Sequence, residues 1–393
     1  MVNIVGKTLS IMLVYGGAIT INKRRQSRNF IYLLFLLTLW LLSYIRVEHK
    51  RIKMTRSLVH LYVLLSGAVL LAIKTKSLLL FFIYFETSII PISLIIFLYG
   101  YQPEKLQATL FLLLYTIIGG LPLLLFILHE VYTYTSKVAL SIPMTLGFMI
   151  KTPIYLFHTW LPKAHVEAPV GGSMVLAGVL LKLGTYGLLL FLPYIKTNSL
   201  LVFYIRMSLI GSVVGSLICL RQGDIKVLIA YSSVVHIGVV RLGLLRGTEL
   251  GYTCAIIMVL SHGVCSPFLF AFSYWLYGSS HSRMLINNMT SWPIMAGLMI
   301  SLVGLNIGLP PRLGLWSEVL ITLSTLYIID WAFPILIVIF FFGLLYNLYV
   351  YTSCIHSKFT NTPLTLSTIN IMPCIQVCSI GFLSFLCLDI FHL

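Results

Sequence analysis

The sequence predicts an all-α, polytopic membrane protein built around inverted helix repeats, on three observations. Of its 393 residues, 59% are hydrophobic and only 9% charged, against roughly 25% charged in a typical soluble domain. Apolar runs long enough to cross a bilayer recur along the chain between short polar stretches, and each must be helical because lipid offers the backbone no hydrogen-bond partner. Two of those runs, one in each half, are interrupted by proline beside a charge, which is the pointer to inverted repeats with a discontinuous helix in each.

Taken in order, runs of about 17 to 25 apolar residues place spans at 29–45, 57–73, 77–99, 106–128, 138–157, 170–193, 199–220, 225–245, 252–277, 291–309, 313–329, 331–353 and 369–391. The earlier run 8–21 has 14 residues, or about 21 Å of helix against a core of roughly 30 Å, so it is expected to tilt or lie at the interface. The linkers are short, and no water-soluble domain is expected between spans. Loops 23–28 and 46–56 are both basic although a single span separates them, so the distribution of positive charge leaves the orientation open. The net charge of +16 is scattered between apolar runs, as interface anchors are, and forms no nucleic-acid footprint. The opening MVNIVGKTLS lacks the Arg- and Ser-rich character of an amphipathic presequence, so no targeting segment is expected to be removed.

Charges inside spans are costly and mark function by default. Glu86, in SLLLFFIYFETSIIP, lies about 14 Å along a helix starting at Ser77, near the bilayer centre. Pro91, five residues on, frees a backbone carbonyl close to it. Lys182, in LAGVLLKLGTYG, is about 18 Å along its own span. A lysine whose proton affinity depends on burial and on a neighbouring carboxylate can carry protons, although a static ion pair would look the same in sequence. Lys151 precedes Pro153 in GFMIKTPIYLFHTWLP, and Glu318 follows Pro310 and Pro311 in SLVGLNIGLPPRLGLWSEVLI. Backbone broken at membrane depth is tolerated only beside protein or a water-lined cavity, so 291–309 and 313–329 read as one discontinuous helix.

His158, His165, His236 and His262 lie along the same hydrophobic core, and imidazole passes protons near neutral pH. Arg206 and Arg241 stand near span ends, where a long side chain can snorkel to the interface, and are left outside any pathway. His165 and Glu167 alone make a weak metal pattern. Cys219, Cys254, Cys265, Cys354, Cys374, Cys378 and Cys387 contain no Cys-x-x-Cys pair and no iron–sulfur spacing. With no G-x-G-x-x-G and no Walker loop either, the chain is expected to bind no cofactor of its own.

The blocks FFIYFETSIIP, GYQPEKLQATLFLLLYTIIGGLPLL, GFMIKTPIYLFHTWLPKAHVEAPVGGSMVLAGVLLKLGTYG, CLRQGDIKVLIAYSSVVHIG and LPPRLGLWSEV resemble the antiporter-like, mitochondrially encoded membrane subunits of respiratory complex I. They run from about residue 57 to 353. The resemblance implies about 13 to 14 transmembrane helices: N-terminal helices in 1–56, shortened by about one relative to the family, inverted five-helix repeats at 57–193 and 199–353, and a C-terminal loop and helix in 354–393. It also implies roles. Glu86 and Lys151 resemble a pair that modulates its own protonation, Lys182 the central lysine, Glu318 the terminal glutamate that exchanges protons with one side, and His236 and His262 the histidines between them. His158 and His165 match the conserved block with a less defined relay role. Tyr101 stands where the family usually has Asn, and Ser317 where Gly usually precedes the glutamate.

By that resemblance the chain is expected to translocate protons as a translocase-class subunit of NADH:ubiquinone reductase, in the mitochondrial inner membrane as a multi-pass protein. Electrons would pass from NADH to ubiquinone in partner subunits, so NADH, FMN, iron–sulfur clusters and ubiquinone are implied for the whole complex. The implied partners are other membrane-arm subunits, neighbouring antiporter-like subunits among them, and lipid, with no nucleic acid. The alternative is a subunit of a cation/proton antiporter of the Mrp type, which shares the repeat and its charges. A purely structural scaffold would have to account for costly charges at both helix breaks.

Overall fold

The computed structural model describes residues 56–75, 77–133, 141–192, 198–245, 247–280, 282–285, 293–309, 313–326 and 332–356. The expected spans 29–45 and 369–391 and the run 8–21 lie outside them, as do Cys374, Cys378 and Cys387. The described chain is helical throughout, with one isolated bridge between Asp224 and Met284. In order, the helices are α1 (Arg56–Lys74), α2 (Leu78–Thr87), α3 (Ile89–Tyr99), α4 (Lys105–Thr133), α5 (Ser141–Lys151), α6 (Trp160–Glu167) and α7 (Val170–Val175). A π-helical turn (Leu176–Leu180) then joins α7 to α8 (Leu181–Phe191). The rest are α9 (Asn198–Leu220), α10 (Ile225–Leu245), α11 (Glu249–Ser280), α12 (Pro293–Ile307), α13 (Leu313–Leu326) and α14 (Ala332–His356).

Eight described segments are long and apolar enough to cross a membrane, and they match the expected spans to within a few residues. The chain is therefore a multi-pass membrane protein. Three of the eight are almost wholly inside the bundle: Val170–Phe191, Ile225–Leu245 and Leu250–Gly278. The others keep an outward apolar face, such as Leu110, Leu114, Ile117, Leu121 and Leu125 on α4 and Phe333, Ile337 and Phe341 on α14. In lipid such a face costs nothing, which is why these helices show little polar alternation.

Close approaches depend on small residues. Gly119 on α4 meets Gly147 on α5 so nearly backbone to backbone that a Cβ on either would clash, the small-residue contact by which membrane helices associate. Buried Ser208, Ser212 and Ser216 on α9 lie at four-residue spacing, and Gly238 on α10 fits against Ser208 and Ser212. Among the described residues Cys219, Cys254, Cys265 and Cys354 are buried.

Candidate functional site: a buried line of charges

The first broken helix ends where proline dictates. Pro153 has no N–H to give the preceding turn, α5 stops at Lys151, and Ile154 N–H reaches back five residues to Met149 O (3.1 Å). Leu156 sits at φ 83°, and the chain resumes as α6 at Trp160, whose indole donates to Ile150 O (3.1 Å). At the second break Pro310 and Pro311 lie outside the described residues, and the end of α12 is seen in the residues before them. Gly308 takes φ 75° after α12, and Leu309 N–H bonds Gly304 O (3.0 Å), the closing bond of a Schellman ending.

Lys151 and Glu86 meet: Nζ donates to Oε1 at 2.8 Å. The ammonium lies over the Phe85 ring at 3.2 Å from its centroid, a favourable cation–π placement. Gly120 on α4 leaves the space that the carboxylate fills, since a Cβ there would stand 3.0 Å from Oε1. A cavity lined by Phe85, Ser88, Lys151, Leu176, Leu180 and Leu181 extends from this pair to the π-turn.

Just past that turn stands Lys182, only 2% exposed on α8. Its Nζ donates to Ala177 O (2.5 Å) and lies 2.8 Å from His262 Nδ1 on α11. A π-turn widens the helix and often marks a functional position; here it brings the Ala177 carbonyl within reach of the ammonium. The His262 ring is 5.4 Å from the His236 ring, centroid to centroid, and His236 Nδ1 lies 3.6 Å from Glu318 Oε1. The Nε2 atoms of His236 and His262 are buried without a protein partner. Glu318 is buried on α13, its Oε2 against Gly308 of the second break. Six of the eight ionisable residues singled out in the sequence thus fall into two groups, Glu86 with Lys151 and Lys182 with His262, His236 and Glu318.

His165 is fully buried, stacked on Phe270 (centroids 4.6 Å, planes 8° apart), with neither ring nitrogen bonded to protein. His158 stacks on Tyr155 (5.5 Å) beside Tyr231. His165 stands within electrostatic reach of Lys182 and His262, and His158 within that of Arg241. Glu167 accepts from the Gln102 amide (2.8 Å), whose oxygen accepts from Arg283 (3.1 Å); burial pushes its carboxyl up and Arg283 pulls it down. Lys226, not singled out in the sequence, is buried and donates to Ala168 O (3.3 Å) at the end of α6.

Arg206 is exposed, in keeping with a peripheral place. Arg241 is not: it has no exposed surface, and snorkelling is the wrong account of it. It lies four residues inside the end of α10, but α9 and the α5–α6 break cover that end. Sequence hydropathy registers distance from a span's end and not what packs outside it.

The family described as NADH:quinone oxidoreductase/Mrp antiporter, TM, matches residues 75–345, which contain every residue of the line. The chain is 40% identical over 301 residues to NADH-ubiquinone oxidoreductase chain 4 of Albinaria caerulea, covering 71% of this chain and 69% of that one. It is 39% identical over 348 residues to the same-named chain of Artemia franciscana, covering 84% and 86%. In architecture it is similar to a chain of respiratory complex I from Thermus thermophilus, solved with bound NADH (TM-score 0.79, 23% identity, 91% of this chain and 80% of that one). It is as similar to a chain of the membrane-bound sulfane sulfur reductase, an archaeal respiratory membrane complex (TM-score 0.80, 19% identity, 91% and 80%). The fold is shared across complexes of different redox chemistry, while these relatives, close to 40% identical over most of both chains, are of one kind: the chain belongs to the NADH-ubiquinone oxidoreductase chain 4 family.

Proposed function

We propose that this chain translocates protons as a membrane-arm subunit of NADH:ubiquinone oxidoreductase, in the mitochondrial inner membrane, with the redox cofactors held by partner subunits. One observation carries the reading: Lys182 stands 2.8 Å from His262 Nδ1, and His262 leads through His236 to Glu318. Ionisable groups of three types would not share an apolar bundle for stability alone, given the cost of each.

Each transfer balances as a proton moving between two bases. The Lys182 ammonium gives its proton to His262 Nδ1 and becomes a neutral amine, and His262 releases a proton from Nε2. His236 takes one up at its own Nε2 through intervening water, and gives one from Nδ1 to the Glu318 carboxylate once the 3.6 Å separation between them closes. Glu318, beside the second helix break, is the terminal group. The Glu86–Lys151 pair governs the start: while Glu86 holds Lys151, that cation is neutralised. When a change in the neighbouring subunits loosens the pair, an uncompensated charge appears across the cavity from the π-turn that precedes Lys182, and disfavours the Lys182 ammonium. Both partners lie within the proposed first repeat, 57–193, so the movement that would open and close the pair is a small shift of α2 against α5 inside it.

The test is the proton-to-electron ratio of the assembled complex in proteoliposomes. Lys182→Met should lower it with the complex intact on native gels and NADH oxidation still present in the band. An unchanged ratio in that variant removes the relay. Sodium-dependent proton exchange by a smaller band lacking NADH oxidation would bring back the Mrp-type reading, which the family description also spans.

A further inference from the structure

We propose that Arg241 is a positioning residue for the relay, a permanent buried cation that fixes the open end of the first broken helix and ties it to α10, the helix of His236. The proposal rests on the relay reading and adds to it a residue that the line of charges does not contain.

The break leaves the Thr152 carbonyl without a helical donor, because the residue four positions on is Leu156, outside the helix at φ 83°. An orphaned carbonyl in lipid must find a partner. Arg241 supplies it: Nη1 donates to Thr152 O, and Nε donates to Ser208 Oγ at 3.2 Å. Nη2 is buried without a protein partner. An arginine is the side chain suited to this place, since its charge is permanent and its planar fork reaches two acceptors at once.

The anchored peptide is the one next to Lys151. Gly184, two residues beyond Lys182 on α8, packs on the Thr152 side chain so closely that a Cβ would stand 2.9 Å from it, and Gly211 on α9 packs on Tyr155 equally closely. Residues 152–155 are therefore gripped by the helix of Lys182, by α9 and by Arg241. A shift of Lys151 against Glu86 moves the Thr152 peptide. Through Arg241 it is felt on α10, and through Gly184 on α8. This is a physical linkage between the two groups of the line, independent of any field across the cavity.

A guanidinium that merely fills space would alter assembly but not coupling, so the experiment reads both in the assembled complex. Arg241→Gln keeps a donor and loses the charge; it should lower the proton-to-electron ratio by at least about twofold, the lower end of what changes in a coupling network produce. The amount of complex on native gels and its NADH oxidation should stay unaltered. Arg241→Lys, with charge but no fork, should fall between Gln and wild type. In a Lys151→Met background, Arg241→Gln should cause no further loss, because the arginine acts through that break; an additive loss overturns the proposal, as does a wild-type ratio in Arg241→Gln. If the glutamine variant does not assemble, Arg241→Lys decides alone: a lowered ratio supports the proposal and an unchanged one overturns it. With Lys182→Met as control, a ratio lost there but kept in Arg241→Gln refutes only the positioning role, whereas a ratio kept in Lys182→Met removes the relay and this role with it.

Discussion

At the first helix break the chain leaves α5 at Lys151, cannot continue because of Pro153, and its free carbonyl is met by a side chain from another helix, Arg241. At the second, α12 ends at Ile307 and the backbone closes its own end with Gly308 in the left-handed region and the Leu309-to-Gly304 bond. The acid beside each break differs in the same sense. Glu86 holds its lysine at 2.8 Å over an aromatic ring, while Glu318 faces His236 at 3.6 Å, beyond hydrogen-bond reach. One end is tight and tied to the rest of the bundle; the other is loose and closed locally. A tight pair suits a control element with two positions, and a loose contact suits a group that must take up a proton and give it away.

The largest effect expected lies between those ends. Lys182→Met removes the group that both sides share, and proton translocation should fall roughly tenfold or more, in the range lost with a positioned acid–base group, read as dye-reported proton uptake per NADH in proteoliposomes. A residual rate above half of wild type would separate the ends. Next come the two acids themselves. Glu318→Gln should impair translocation more than Glu86→Gln, because the first removes the terminal acceptor and the second only the control. Side-by-side ratios check this, and equal losses would mean that the contrast in pair geometry has no functional counterpart.

Gly308→Ala tests the local closure. An L-residue in the left-handed region costs about 1 to 2 kcal/mol, and the new Cβ would also crowd Leu315 N at 3.1 Å and Glu318 Oε2 at 3.4 Å. The variant complex should lose activity at a lower temperature than wild type, measured as residual NADH oxidation after heating. An unshifted profile would show that the second break tolerates strain. The smallest change expected is Phe85→Leu, which takes the ring from under the Lys151 ammonium and forfeits about 0.5 to 2 kcal/mol of cation–π attraction. Its ratio should drop less than that of Glu86→Gln; a drop as large would make the ring, not the carboxylate, the main hold on Lys151.

Much of the architecture and of the site is readable in the residues. Spans such as 225–245 coincide with their helices, because in lipid length and apolarity alone decide what crosses. Glu86, Lys151, Lys182 and Glu318 stand out because a charge inside an apolar run is too costly to be incidental. Less visible is the π-turn at Leu176–Leu180, since LAGVL carries no mark that separates a π-turn from an ordinary one. Lys226 escapes notice and Arg241 is set aside for a related reason: both lie near span ends, where a sequence suggests an interface and the bundle supplies instead a carbonyl to cap.

By itself the sequence determined that the chain is a helical membrane protein, where its eight described spans cross, where the first broken helix must end and which charges have no bland reason to be there. All of these follow from solvation and from proline, which act on local stretches of chain. Only the tertiary structure decided who meets whom: Glu86 with Lys151, 65 positions apart, Lys182 with His262, 80 apart, and Arg241 with Thr152, 89 apart. Those pairings depend on glycine and serine contacts such as Gly119 on Gly147 and Gly238 on Ser208, which set how closely helices approach and have no periodicity to announce them. The physical reason is that hydropathy is a property of one segment and its solvent, whereas a proton path is a property of the space between segments.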